Sequence, residues 1–109
     1  MKDKVMSYLG FAARARKVLT GYNTAVFTME KGKVKLVILA EDLSENSKEK
    51  MISISERLCV PYRIHGKMDD LSHITGTEGK GIFSIIDDNF ANVISKEIDD
   101  NRSTEKEVF

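Results

Sequence analysis

Apolar residues recur at helical spacing near the start of the chain, at Val5, Tyr8, Leu9 and Ala12, which predicts a helix from Lys4 to Arg16. Arg14, Arg16 and Lys17 close it with positive charge, favourable at a helix C-terminus. Val18-Leu19 is a short apolar pair, read as a stub of strand. Thr20 then offers an N-cap hydroxyl and Gly21 a tight entry into a second helix, which runs to about Lys31 and stops at Gly32. On that helix Tyr22, Ala25, Val26 and Met29 share one arc, the expected core face. Asn23 and Phe27 lie one turn apart on a different stripe, a candidate contact surface.

The run Leu36–Ala40 is continuously rather than alternately apolar, the mark of a strand covered on both faces. Ser44 caps a helix from about Glu45 to Leu58 with Met51, Ile52, Ser55 and Leu58 inward, and residues 60–64 form a short strand with Pro61 at its start or edge. Met68, Leu71 and Ile74 mark a short helix with Asp69 and Asp70 in its first turn. A glycine-rich loop, 76–81, is read as mobile. It leads into a buried strand at 82–86, and Asp87 or Asp88 caps a last helix carrying Phe90, Val93, Ile94 and Ile98. This alternation predicts an α/β protein: a three-layer α/β/α sandwich around a mixed sheet of about four strands. Residues 1–98 form its single domain, and 99–109 read as an acidic, flexible tail.

With 109 residues, 41% of them hydrophobic and 31% charged, the chain has room for one domain and the composition of a soluble globular protein. Its longest apolar run is far shorter than the roughly 18 residues of a membrane span. With a single cysteine it reads as a cytoplasmic, reduced protein without a membrane partner. The net charge of zero conceals an asymmetry. Residues 1–40 carry eight Lys or Arg against two acids, and residues 41–109 carry nine against fifteen. One basic face steers a polyanion even when the total charge cancels.

Candidate chemistry follows from where the polar residues fall. Glu41-Asp42 and Asp87-Asp88 each follow an apolar strand, where carboxylates could hold Mg²⁺. The simpler reading is that they cap the following helices. His65 and His73 lack an HExxH pattern or a second thiol, and Cys59, between Leu58 and Val60, reads as an inert buried thiol. No catalytic residue, metal site or cofactor is assigned. Two basic clusters, Arg14/Arg16/Lys17 and Lys31/Lys33/Lys35, bracket the helix that presents Asn23 and Phe27. Cations hold phosphates, an amide reads base edges, and an exposed aromatic stacks on an unstacked base, as irregular RNA supplies.

The string 9–18 (LGFAARARKV), the segment Gly21 to Gly32, the run Leu36 to Asp42, Val60-Pro61-Tyr62 and Gly76 before the last strand together resemble the ribosomal L-seven-Ae type, the kink-turn RNA-binding family, and within it the short bacterial members. The likeness spans about residues 4–98. It implies non-catalytic recognition of structured RNA, ribosomal or other kink-turn-like RNA, in the setting of the ribosome and translation. It implies a site made of the first strand–helix turn and the loop before the last strand: Gly21, Tyr22, Asn23, Thr24 and Phe27 facing Thr77, Glu78, Gly79 and Lys80, with Arg16, Lys17, Lys33 and Lys35 on phosphates. Lys17, Gly21 and Asn23 match the family's pattern. Thr24 replaces a Glu, Phe27 a Lys, and Thr77-Glu78-Gly79 an apolar-Glu-apolar loop. The alternative reading is a protein-interaction adaptor on the same fold.

Overall fold

The computed structural model describes the backbone of residues 3–107 and the side chains of residues 3–101. Helix α1 (Lys4–Arg14) starts where the Asp3 carboxylate accepts the Val5 amide at 2.9 Å. Strand β1 (Val18–Thr20), helix α2 (Tyr22–Glu30) and strand β2 (Leu36–Leu39) follow. Helix α3 (Glu45–Arg57) is capped by Ser44, whose hydroxyl accepts from Ser47 N. Strand β3 (Tyr62–Ile64), helix α4 (Met68–Thr75), strand β4 (Ile82–Ile85) and helix α5 (Asp88–Glu107) complete the chain.

The strands form one mixed sheet in the order β1-β4-β2-β3. β4 runs antiparallel to both neighbours and β2 runs parallel to β3. β2 and β4 are therefore central and buried throughout, as the unbroken apolar runs predict. Pleating sends alternate side chains of β2 to opposite faces. Leu36, Ile38 and Ala40 meet Val5 and Leu9 of α1, Leu71 of α4 and Ile94 and Ile98 of α5 around the fully buried Phe83. Val37 and Leu39 meet Ala25 and Met29 of α2 and Met51 of α3. Helices on both faces of the sheet give the α/β sandwich expected. Burial of each such Leu or Ile stabilises it by about 1.5–3 kcal/mol.

Several local expectations are corrected. α1 ends at Arg14, and Arg16 adopts a left-handed φ of 62° in the turn that follows. Thr20 pairs with Phe83 in β1 and does not cap α2; Gly21 occupies the cap. Tyr22 is 37% exposed, outside the core. Thr28 is buried in its stead, because its hydroxyl donates to Thr24 O at 2.7 Å and needs no water. Val93 faces outward, and Ala91 takes the buried position on α5. Cys59 is exposed, with φ 59°, since the turn that points the half-buried Leu58 and Val60 toward the protein sends the Cys59 side chain outward. The carboxylate before α5 that accepts Phe90 N at 2.9 Å is Asp87. The segment read as a tail from Asp99 begins within α5, and Asp99 binds Arg63 of β3 through two 2.9 Å hydrogen bonds. This bond holds the guanidinium pKa above its ordinary value. The segment's side chains from residue 102 onward, and its last two residues, lie outside the described residues.

Candidate nucleic-acid interface

Strand register places the candidate residues. At the end of β1, Thr20 pairs with Phe83 and the Gly21 amide donates to Ile82 O at 3.0 Å. The loop 76–81 arrives at the same point, and β2 ends there too, with Ala40 N donating to Gly81 O at 2.9 Å. The start of α2 and the glycine loop thus lie side by side at one end of the sheet, although more than fifty residues separate them in sequence.

Gly21 has φ 100° and ψ 159°, a region essentially closed to L side chains, and a Cβ built there would meet nothing within 4 Å. No side chain caps α2. Its first amides, at Tyr22, Asn23 and Thr24, are left without intrahelical partners, as at any helix start. The side chains of these three residues are exposed. The first turn therefore offers backbone donors, an amide side chain and open space together.

The opposing loop is tied down at its ends. Gly76 closes α4 in the left-handed conformation, and Thr77 N donates to Ser72 O at 2.8 Å. Ser72, 3% exposed, accepts from Lys80 N and donates to Lys80 O, both at 2.9 Å, through its hydroxyl. Glu78 and Gly79 form the exposed tip. A cavity of about 430 Å³ lies beneath, lined by Asp69, Ser72, His73, Thr77, Glu78 and Gly79. Sequence reasoning missed Ser72: a serine between Leu71 and His73 carries no signal that it bridges a loop eight residues on. A larger cavity, about 700 Å³, sits by β3 and involves none of the candidate residues.

Apart from Lys80, the basic candidates are elsewhere. Ile86 N donates to Lys17 O, and Lys35 N to Ile85 O, so Lys17 and Lys35 flank the far end of β4. Lys33 is held there by its amide on Thr28 O, and Arg16 by its amide on Ala13 O. The nine-residue α2 joins the two ends over about 13 Å. Along its outer surface Asn23, Phe27 and Lys31 succeed one another at i, i+4 and i+8. Phe27 is 61% exposed, and Lys31 Nζ lies 4.7 Å from its ring centroid. The cation–aromatic pair follows from the spacing of four residues, a signal the sequence carries openly.

The acids at strand ends are engaged in structure. Glu41 accepts from Gly66 N and sits 3.5 Å from Lys67 Nζ, and Asp42 accepts from Met68 N at 2.9 Å. They thus serve the start of α4 rather than the helix that follows them. His65 pairs with Asp3 at 2.9 Å, and no group of three or more metal-ligating side chains occurs among the described residues.

The profile of the Ribosomal protein L7Ae/L30e/S12e/Gadd45 family matches residues 3–95. "RNA-binding protein YlxQ" of Bacillus subtilis is 32% identical over 91 residues, covering 84% of this chain and 91% of that protein. The protein of the same name from Enterococcus faecium is 32% identical over 90 residues, covering 83% and 86%. Among solved structures, a Bacillus halodurans protein of unknown function superposes with a TM-score of 0.87 at 31% identity, covering 90% of this chain and 99% of that one. The Giardia lamblia 15.5kD RNA binding protein shares the fold, with a TM-score of 0.74 at 20% identity and coverage of 94% and 92%. The matched region takes in every strand, the α2 turn and the glycine loop: this chain belongs to the Ribosomal protein L7Ae/L30e/S12e/Gadd45 family.

Proposed function

We propose that this protein is a non-catalytic RNA-binding protein that recognises structured, kink-turn-like RNA in the cytoplasm, in association with the ribosome or the translation apparatus. The observation that carries the reading is the uncapped start of α2 at Gly21, open to solvent and set beside the loop Thr77–Lys80. Its exposed amides suit phosphate or a base edge. Asn23 reads a base in a distorted pair, Thr24 and Tyr22 border it, and Glu78 accepts from an exocyclic amine. Lys80 supplies a cation from the opposing loop. Arg16, Lys17, Lys33 and Lys35, at the other end of α2, hold phosphates of the RNA strand that continues beyond this element. The family relationship and the names of the Bacillus and Enterococcus relatives support RNA as the ligand. A binding role is also supported by the carboxylates, since those of Glu41, Asp42 and Asp87 are taken up by backbone amides.

Titration of a labelled kink-turn RNA against a straight duplex of equal length tests this. The kink-turn binds more tightly, and Asn23→Ala weakens it by roughly 5- to 150-fold, the range for removing one side chain that reads a base. Equal binding of the two RNAs removes the kink-turn target, and binding of neither removes RNA as the ligand.

A further inference from the structure

The cations at the far end of the sheet form a surface of their own. Arg16, Lys17, Lys33 and Lys35 are each fixed by a backbone hydrogen bond around the end of β4, with Lys17 and Lys35 two strand spacings apart, about 10 Å. Arg14 and Lys31 adjoin them in sequence. Among the described residues none of these six forms a salt bridge. At the α2-start end, by contrast, Lys48, Lys67 and His65 are each paired with an acid, and Lys80 is the exception. Among the described residues, the acids toward the far end are Asp87, whose carboxylate caps α5, and the exposed Asp88, Glu30 and, at the end of α3, Glu56. Cations clustered without an acid partner attract a phosphate backbone.

Phe27 decides which form of polynucleotide fits. Its ring is 61% exposed beside Lys31, on the same helix that leads to Lys33 and Lys35. In a regular duplex the bases are already stacked and an aromatic side chain finds no partner. Proteins that hold single strands combine a basic track with aromatic platforms for the bases.

We propose that the C-terminal end of α2 is a second nucleic-acid surface, which takes an unpaired RNA strand with Arg16, Lys17, Lys33 and Lys35 on phosphates and a base stacked on Phe27. This rests on the reading that RNA is the ligand, but it concerns a different end of the helix and a different form of RNA. The structured element and its single-stranded flank are then held at once.

The test uses the full chain and two labelled probes, an oligouridine of about ten nucleotides and a kink-turn RNA without single-stranded flanks. Oligouridine binds the unsubstituted protein, and Phe27→Ala weakens it roughly 5- to 150-fold, the range for unstacking one base. The double variant Lys33→Glu/Lys35→Glu weakens it and flattens the salt dependence by about 0.7 log units for each phosphate no longer neutralised. Asn23→Ala weakens the kink-turn RNA and leaves oligouridine bound. Circular dichroism melting confirms that each variant is folded, and Phe27→Leu serves as a second platform variant if Phe27→Ala is not. If oligouridine binds with these sensitivities while kink-turn RNA does not bind, the second surface stands and the proposed target falls. No binding of oligouridine, binding indifferent to Phe27 and the lysines, its displacement by unlabelled kink-turn RNA, or equal displacement by polyglutamate each overturns the second surface.

Discussion

Gly21 sits at φ 100° between β1 and α2 with empty space where a side chain would stand. Crowding gives no reason to exclude a side chain there, but the backbone does. Gly21→Ala forces an L residue into a conformation costing of order 1–3 kcal/mol, and urea unfolding should show a loss of that size. Ser84 is the opposite case. It is buried between Leu19 and Val37 in the sheet, and its hydroxyl has no hydrogen-bond partner among the described residues. Ser84→Ala removes an unsatisfied polar group and breaks no bond, so it should leave stability within about 0.5 kcal/mol or raise it. A clear drop in the melting temperature would show that the hydroxyl has a partner. Neither role is visible from residue type alone.

At the scale of the element, α2 is weakly amphipathic and owes its place to what surrounds it. Ala25 and Met29 hold it on the sheet, Thr28 bonds back to Thr24, and its outer stripe is left for Asn23 and Phe27. The loop before β4 depends on α4 through one hydroxyl. Ser72→Ala breaks both bonds to Lys80 and leaves two backbone groups to find other partners. We expect a loss of about 1–3 kcal/mol and, more specifically, faster amide exchange at Lys80 than at Thr77, whose bond runs to the Ser72 carbonyl. The β3–α5 connection is a bidentate Arg63–Asp99 pair open to water. Arg63→Ala should therefore cost less than about 1 kcal/mol, checked by thermal melting.

For the whole molecule, two hydrophobic clusters share one sheet, one on each face. Because β2 and β4 contribute to both, the clusters have no means of melting separately. Phe83→Ala on one face should cost about 3–5 kcal/mol and Met51→Ala on the other about 2–5. Each should shift a single transition that near-ultraviolet and far-ultraviolet circular dichroism report at the same urea concentration. Two resolved transitions would mean that the faces unfold independently. The charge distribution is likewise a property of the whole: cations without an acid partner collect at one end of the sheet, while several acids at the other are paired with lysines or hydrogen-bonded to backbone amides.

Much of this is legible in the order of residues. The apolar runs at 36–40 and 82–86 fit only central strands, and helical spacing locates five helices, because burial imposes a period on the chain before any tertiary contact forms. The resemblance of residues 9–42 to their family rests on the same local string. What the string does not supply is distance. That the Gly21 turn meets the 76–81 loop, while Lys17 and Lys35 lie at the opposite end, depends on β4 running antiparallel between β1 and β2. That Asp42 caps α4 and Ser72 pins Lys80 depends on chain segments far apart in sequence coming within hydrogen-bond reach. Local periodicity follows from the water–core partition of each side chain, which a sequence encodes directly. The meeting of remote polar groups follows from strand order and direction, which only the packed sheet decides.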